Sequence, residues 1–108
     1  LMHYFYSERM VDDGDANAAA QVRNRAEARA GAMLDRLDEQ LASHGGEWLL
    51  GSEFSAVDPY ALMLCRWTRN FARPARSLPR LAPYLQRMLA RPAVQRVFAQ
   101  ERLSAPFV

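Results

Sequence analysis

Cys65 is the only thiol in the chain and the first place to look for nucleophilic chemistry. A thiol attacks as its thiolate, so it needs a nearby cation or helix dipole to bring its pKa down from about 8.5. Arg66 adjoins it and Arg69 follows one turn later. Its helical neighbours Ala61, Leu62 and Thr68 instead describe a small, inert core residue. His3 and His44 stand at no metal-ligand spacing from a Cys, Asp or Glu, so no metal centre is expected. His44 precedes Gly45-Gly46 and suits a favourable charge at a helix C-terminus. Arg66, Arg69, Arg73, Arg76 and Arg80 form a cationic run of the kind that holds phosphates. Only Trp67 and Phe71 interleave with them, so they read as solvated helix ends and salt bridges rather than a nucleic-acid surface.

The strongest positional signal is Ser55 with Asp58, three residues apart. That is capping-box spacing: the Ser55 hydroxyl takes the Asp58 N–H, and the Asp58 carboxylate takes the Ser55 N–H. Losing such a cap costs about 1–2 kcal/mol. Pro59 follows directly; it removes an N–H and weakens the hydrophobic staple that Phe54 would otherwise make. From Tyr60 to Trp67 the segment is apolar on nearly every side, interrupted only by Arg66. A helix without a polar stripe is expected to be the buried centre of its domain.

Around this helix the periodicity places four others. The first covers about residues 1–11 and stops at Asp12-Asp13-Gly14; Leu1–Tyr6 reads as a chain already in mid-helix. A long helix follows over about 16–43, with Val22, Ala26, Ala30, Met33, Leu37 and Leu41 in one stripe. A linker, 47–54, tucks Trp48, Leu49 and Phe54 inward, and the capped helix runs about 56–71. Another covers about 80–90, burying Leu81, Tyr84, Leu85 and Met88, with Pro83 in its first turn. The last, about 93–102, buries Val94, Val97 and Phe98, and the tail 103–108 is irregular. The expected fold class is therefore all-α, a five-helix bundle around one buried central helix.

Composition agrees with a single domain. Half of the 108 residues are apolar or aromatic, enough for one core. No apolar stretch reaches the roughly 18–20 residues of a membrane span, and no signal-peptide pattern is present, so no membrane partner is expected. A lone cysteine fits a reducing, cytoplasmic setting. Charge is lopsided: residues 1–54 hold five arginines against ten acidic side chains, residues 55–108 nine arginines against Asp58 and Glu101. The balance thus swings from −5 to +7, a dipolar surface suited to a neighbouring domain or subunit.

Trp48-Leu49-Leu50-Gly51, Phe54-Ser55-x-x-Asp58-x-Tyr60, Arg66-Trp67, Leu81-x-x-Tyr84-Leu85-x-Arg87-Met88 and Arg91-Pro92-Ala93-Val94 together resemble the C-terminal domain of glutathione S-transferases, nearest to bacterial beta-class-like forms. The likeness covers residues 47–101 residue by residue and the first 46 by helix length and order. It implies that residues 1–108 are that helical domain, its first helix incomplete and the thioredoxin-like N-terminal domain lying elsewhere. It implies a homodimeric transferase that joins glutathione, its co-substrate, to a hydrophobic electrophile. Thiolate formation and most glutathione contacts would belong to the other domain, so no catalytic residue is assigned here. Tyr60 and Trp67 match positions facing the second-substrate pocket, and their spacing of seven sets them on one side of a helix. Tyr4 and Phe5 would face it from the first helix. A non-catalytic relative using the bundle for protein–protein contact is the alternative.

Overall fold

The computed structural model describes every residue, Leu1–Val108. Five α-helices form: α1 (Met2–Phe5), α2 (Ala16–His44), α3 (Val57–Trp67), α4 (Leu81–Ala90) and α5 (Pro92–Gln100). No strand is present, and no helix is long and apolar enough to cross a membrane. The backbone divides into two units, Leu1–Met33 and Leu34–Val108, with the boundary inside α2.

In the first unit the helix expected over residues 1–11 is a single turn. No side chain caps α1, and Tyr6 leaves helical geometry at φ −128°, ψ 42° before a 3₁₀ turn, Ser7–Met10. One uncapped turn cannot offset the cost of helix nucleation. By contrast α2 starts at the expected residue 16, where Asp15 Oδ1 accepts the Ala18 N–H at 3.0 Å. It ends at Gly45, whose φ of 66° a residue with a Cβ would adopt only with strain.

The second unit holds the core. Leu34 and Leu41 of α2 are buried seven residues apart, with Leu37 half-buried between them. The most enclosed element is α4: Leu81, Tyr84, Leu85 and Met88 have no exposed surface. Its first turn is capped across the molecule, because Asp38 Oδ1 on α2 accepts the Arg80 and Leu81 N–H groups, each at 2.8 Å. This is the side-chain service that a helix N-terminus requires, supplied from a distant helix.

The expectation of an α3 enclosed on all sides holds for one face. Asp58, Ala61, Leu62 and Cys65 are buried, while Tyr60 is 60% exposed and Met63 and Trp67 are each 40% exposed. Periodicity counts apolar positions, whereas burial needs elements to cover them, and here α4 and the 3₁₀ turn Ala75–Ser77 cover one side only. The helix also stops at Trp67, short of the expected residue 71. Thr68 ends it, donating its hydroxyl to the Cys65 carbonyl at 2.7 Å and accepting the Ala75 N–H at 3.0 Å.

Two further apolar residues depart from their expected burial. Phe54 is 40% exposed and Val97 is 53% exposed; the Phe54 ring lies under the Arg91 guanidinium instead of stapling α3. The tail 103–108 has no helix yet docks firmly. Arg66 donates to the Pro106 and Phe107 carbonyls at 3.3 and 2.7 Å, Arg76 donates to the Val108 carbonyl at 2.6 Å, and Val108 joins the core.

The linker before α3 turns tightly, with Trp48 and Gly51 exchanging backbone hydrogen bonds of 3.0 and 3.1 Å. Gly46 packs so closely here that a Cβ would strike the Gly51 carbonyl and come within 2.9 Å of the Gly51 Cα. Gly46→Ala is therefore expected to destabilise the protein by about 1–3 kcal/mol, since rigid backbone must move. Urea unfolding followed by circular dichroism measures this. A midpoint matching the parent would show that the turn accommodates the methyl group.

Candidate functional site

Asp58 anchors the start of α3 from within. Its carboxylate, fully buried, accepts the Ser55 N–H at 2.9 Å, the Leu49 N–H at 3.1 Å and the Tyr84 O–H at 2.8 Å. Only half of the expected capping box forms. The Asp58 N–H bonds to the Ser55 backbone carbonyl at 3.1 Å, and the Ser55 hydroxyl is buried without a partner. Burial, and then the bond to Asp58, hold the Tyr84 phenol far above its ordinary pKa, so it serves as a lasting donor. The knot ties linker, α3 and α4 together and fixes the orientation of α3.

That orientation sets Tyr60 and Trp67 on one exposed side of α3, with half-buried Leu64 between them in sequence. Seven residues are nearly two turns, so the two rings share a face to within about 20°. Both are apolar bodies with a polar tip. In the first unit, Tyr4 and Phe5 of α1 meet edge to face with centroids 5.2 Å apart, and the Arg23 guanidinium lies 5.3 Å from the Tyr4 ring. The structure thus brings Tyr4 and Phe5 into contact, and sets Tyr60 and Trp67 two turns apart on one side of α3.

The remaining chemical candidates resolve as structural groups. Cys65 has no exposed surface, and burial pushes its thiol up to about 12, which leaves it protonated and inert. No cluster of three metal-ligating side chains occurs. His44 is less a helix-end charge than a clasp: Nδ1 accepts the Gly46 N–H at 2.9 Å, and Nε2 lies 3.0 Å from the Leu49 carbonyl. With Nδ1 accepting, the proton sits on Nε2, which donates to that carbonyl. Four of the five arginines in the run are consumed internally. Arg66, Arg69 and Arg76 bond main-chain carbonyls, and Arg73 pairs with Asp35 at 2.7 Å, holding that carboxyl below its usual range.

A bundle of this kind, entered through a buried aspartate and carrying an aromatic face on its third helix, defines a class. The family model for the glutathione S-transferase C-terminal domain matches residues 20–87, and the chain belongs to that family. Among curated proteins it is similar to the glutathione S-transferase-like protein OpS6 of Beauveria bassiana (strain ARSEF 2860). The two are 37% identical over 71 residues, an alignment covering 62% of this chain and 32% of that protein. The chain thus spans about a third of the length of this relative. No solved structure matches it.

The sequence reading missed the partners that make these elements rigid. Tyr84 to Asp58, Asp38 to the start of α4, and Arg66 and Arg76 to the tail all join residues more than twenty positions apart. The one available hint was the surplus of arginines over acidic residues after residue 55, which leaves carbonyls as the acceptors within reach.

Proposed function

We propose that this chain is the helical domain of a glutathione S-transferase-like enzyme, and that the exposed Tyr60–Trp67 face of α3 is its wall for a hydrophobic electrophile. The observation that carries the reading is that two partly exposed aromatics, Tyr60 at 60% and Trp67 at 40%, share one side of a helix whose opposite face is locked in the core. Aromatic walls of this kind draw an apolar substrate out of water. In the proposed reaction the glutathione thiolate bonds to the electrophilic carbon, and the leaving group departs with its electron pair. A thioredoxin-like domain outside this chain binds glutathione and favours its thiolate, so the chain alone supplies no catalytic group. Tyr4 and Phe5 of α1, an edge-to-face pair within the first unit, are proposed as further substrate contacts. The full-length enzyme is a cytoplasmic homodimer. The relative's own description as glutathione S-transferase-like supports the class.

The test is kinetic. In the full-length product, Trp67→Ala is expected to raise KM for a chloronitrobenzene electrophile by about tenfold, the worth of one buried aromatic contact. KM for glutathione should stay the same. An unchanged KM for the electrophile removes Trp67 from the wall. A product that glutathione-agarose does not retain and that conjugates nothing favours the alternative, a helical domain used for contact with another protein.

A further inference from the structure

In the first unit, residues 7–15 fold against the opening turns of α2 and leave a cavity of about 690 Å³. The volume is that of a small-molecule site. Ser7 lines the cavity and is only 3% exposed, and no group of the chain hydrogen-bonds to its hydroxyl. Nearly all buried polar groups have a partner, so a buried hydroxyl beside a cavity points to one that is not part of the chain.

The charges around the cavity favour a cation. Glu8, Asp12, Asp13 and Asp15 line it, against Arg9 and Arg23. Both guanidiniums face rings rather than carboxylates. Arg9 lies 4.4 Å from the Tyr6 centroid and Arg23 lies 5.3 Å from that of Tyr4, contacts that hold a cation by its face. Asp15 is spent on capping, since it accepts the Ala18 N–H at 3.0 Å, and its charge offsets the positive end of α2. Glu8, Asp12 and Asp13 are exposed, and their carboxylates pair with no cation of the chain. No three ligating side chains converge as a bare metal ion would require. Val11, Ala16, Ala19 and Ala20 make the rest of the lining apolar. Exposed carboxylates, a buried hydroxyl acceptor and small apolar side chains together suit a slim methylene chain that carries ammonium groups.

We propose that this cavity binds a linear aliphatic polyamine. One ammonium donates to the Ser7 hydroxyl, another is held by Asp12 and Asp13, and the methylenes lie against Ala16, Ala19 and Ala20. The site belongs to the first unit and needs neither glutathione nor the Tyr60–Trp67 face, so it is independent of the proposed catalysis.

Titration calorimetry of the full-length product with spermidine, at low ionic strength, tests it. The parent protein is expected to bind one equivalent. Ser7→Ala removes a hydroxyl that supports no contact within the chain, so this variant should fold like the parent. It should bind spermidine about tenfold more weakly, as loss of a hydrogen bond to a charged group does. Asp12→Asn combined with Asp13→Asn should weaken binding by about tenfold or more. Glu101→Gln, which removes a carboxylate that does not line the cavity, should leave the titration unchanged, and Mg²⁺ at the concentration of spermidine should not displace it. A parent protein without saturable binding overturns the proposal, as does a Ser7→Ala or Asp12→Asn/Asp13→Asn protein, folded by circular dichroism, that binds like the parent. Displacement by Mg²⁺, or a loss in Glu101→Gln equal to that of the double variant, would mean attraction by net charge alone and also overturn it.

Discussion

Asp58→Ala is expected to lower the unfolding free energy by about 3–5 kcal/mol, the scale of breaking a buried, hydrogen-bonded ionic site. A helix cap alone is worth about 1–2 kcal/mol. The difference lies in what the carboxylate holds. Besides the Ser55 N–H at the start of α3, it accepts the Leu49 N–H and the Tyr84 O–H. Alanine would strand the Leu49 and Tyr84 donors in the core and the Ser55 N–H at a partly buried position, and each buried orphan carries a desolvation penalty. Two milder variants separate the contributions. Tyr84→Phe removes one donor and leaves the carboxylate with two N–H partners, for a loss of about 1–2 kcal/mol. Asp58→Asn keeps the shape but turns an NH₂ toward a donor, and should fall between the other two. Urea denaturation of the three variants gives the order directly. If Asp58→Ala lies within about 1 kcal/mol of the parent, the carboxylate is a simple cap and the buried knot has been overvalued.

The second large effect is alkaline. Burial raises Cys65 from an ordinary value of 9.0 to about 12, and Tyr84 moves upward for the same reason, helped by Asp58. Both groups bind their protons more tightly folded than unfolded. Their stabilisation is therefore complete below the unfolded pKa and is lost as pH rises through the folded one. For Cys65 the window runs from 9.0 to about 12, and three pH units correspond to a loss of about 4 kcal/mol. Unfolding free energies should be level from neutral pH to about pH 9 and then fall steeply. In Cys65→Ala the early part of that fall should flatten, with the phenol alone remaining. A parent and a Cys65→Ala protein with parallel alkaline limbs would show that the thiol ionises without opening the core.

Much of this architecture was legible in local chemistry. The bounds of α2, with its Gly45 end, the Pro83 and Pro92 positions, and the inner stripe of α4 follow from periodicity and from the two residues that punctuate helices. The shared face of Tyr60 and Trp67 follows from their spacing. Exposure of that face was not legible. Apolar residues all round α3 announce more than one contact surface, and periodicity cannot say which surfaces this chain itself covers. Nor was the length of α1, where Tyr6 gives no helix-breaking signal and tertiary context decides. The sequence tucks Phe54 inward with its staple weakened by Pro59; the ring is instead 40% exposed and lies under Arg91.

The cap that Asp38 lends to α4 constrains the order of assembly. Helix α4 has no N-terminal side-chain cap of its own; its first donors find their acceptor on a residue more than forty positions earlier in the chain. Ten residues are too few to hold a helix in isolation, so α4 becomes persistent only once the later half of α2 has come alongside. The expectation is that this long-range meeting belongs to the folding nucleus. Substitutions at Asp38 should accordingly slow refolding more than they speed unfolding, placing this contact inside the nucleus.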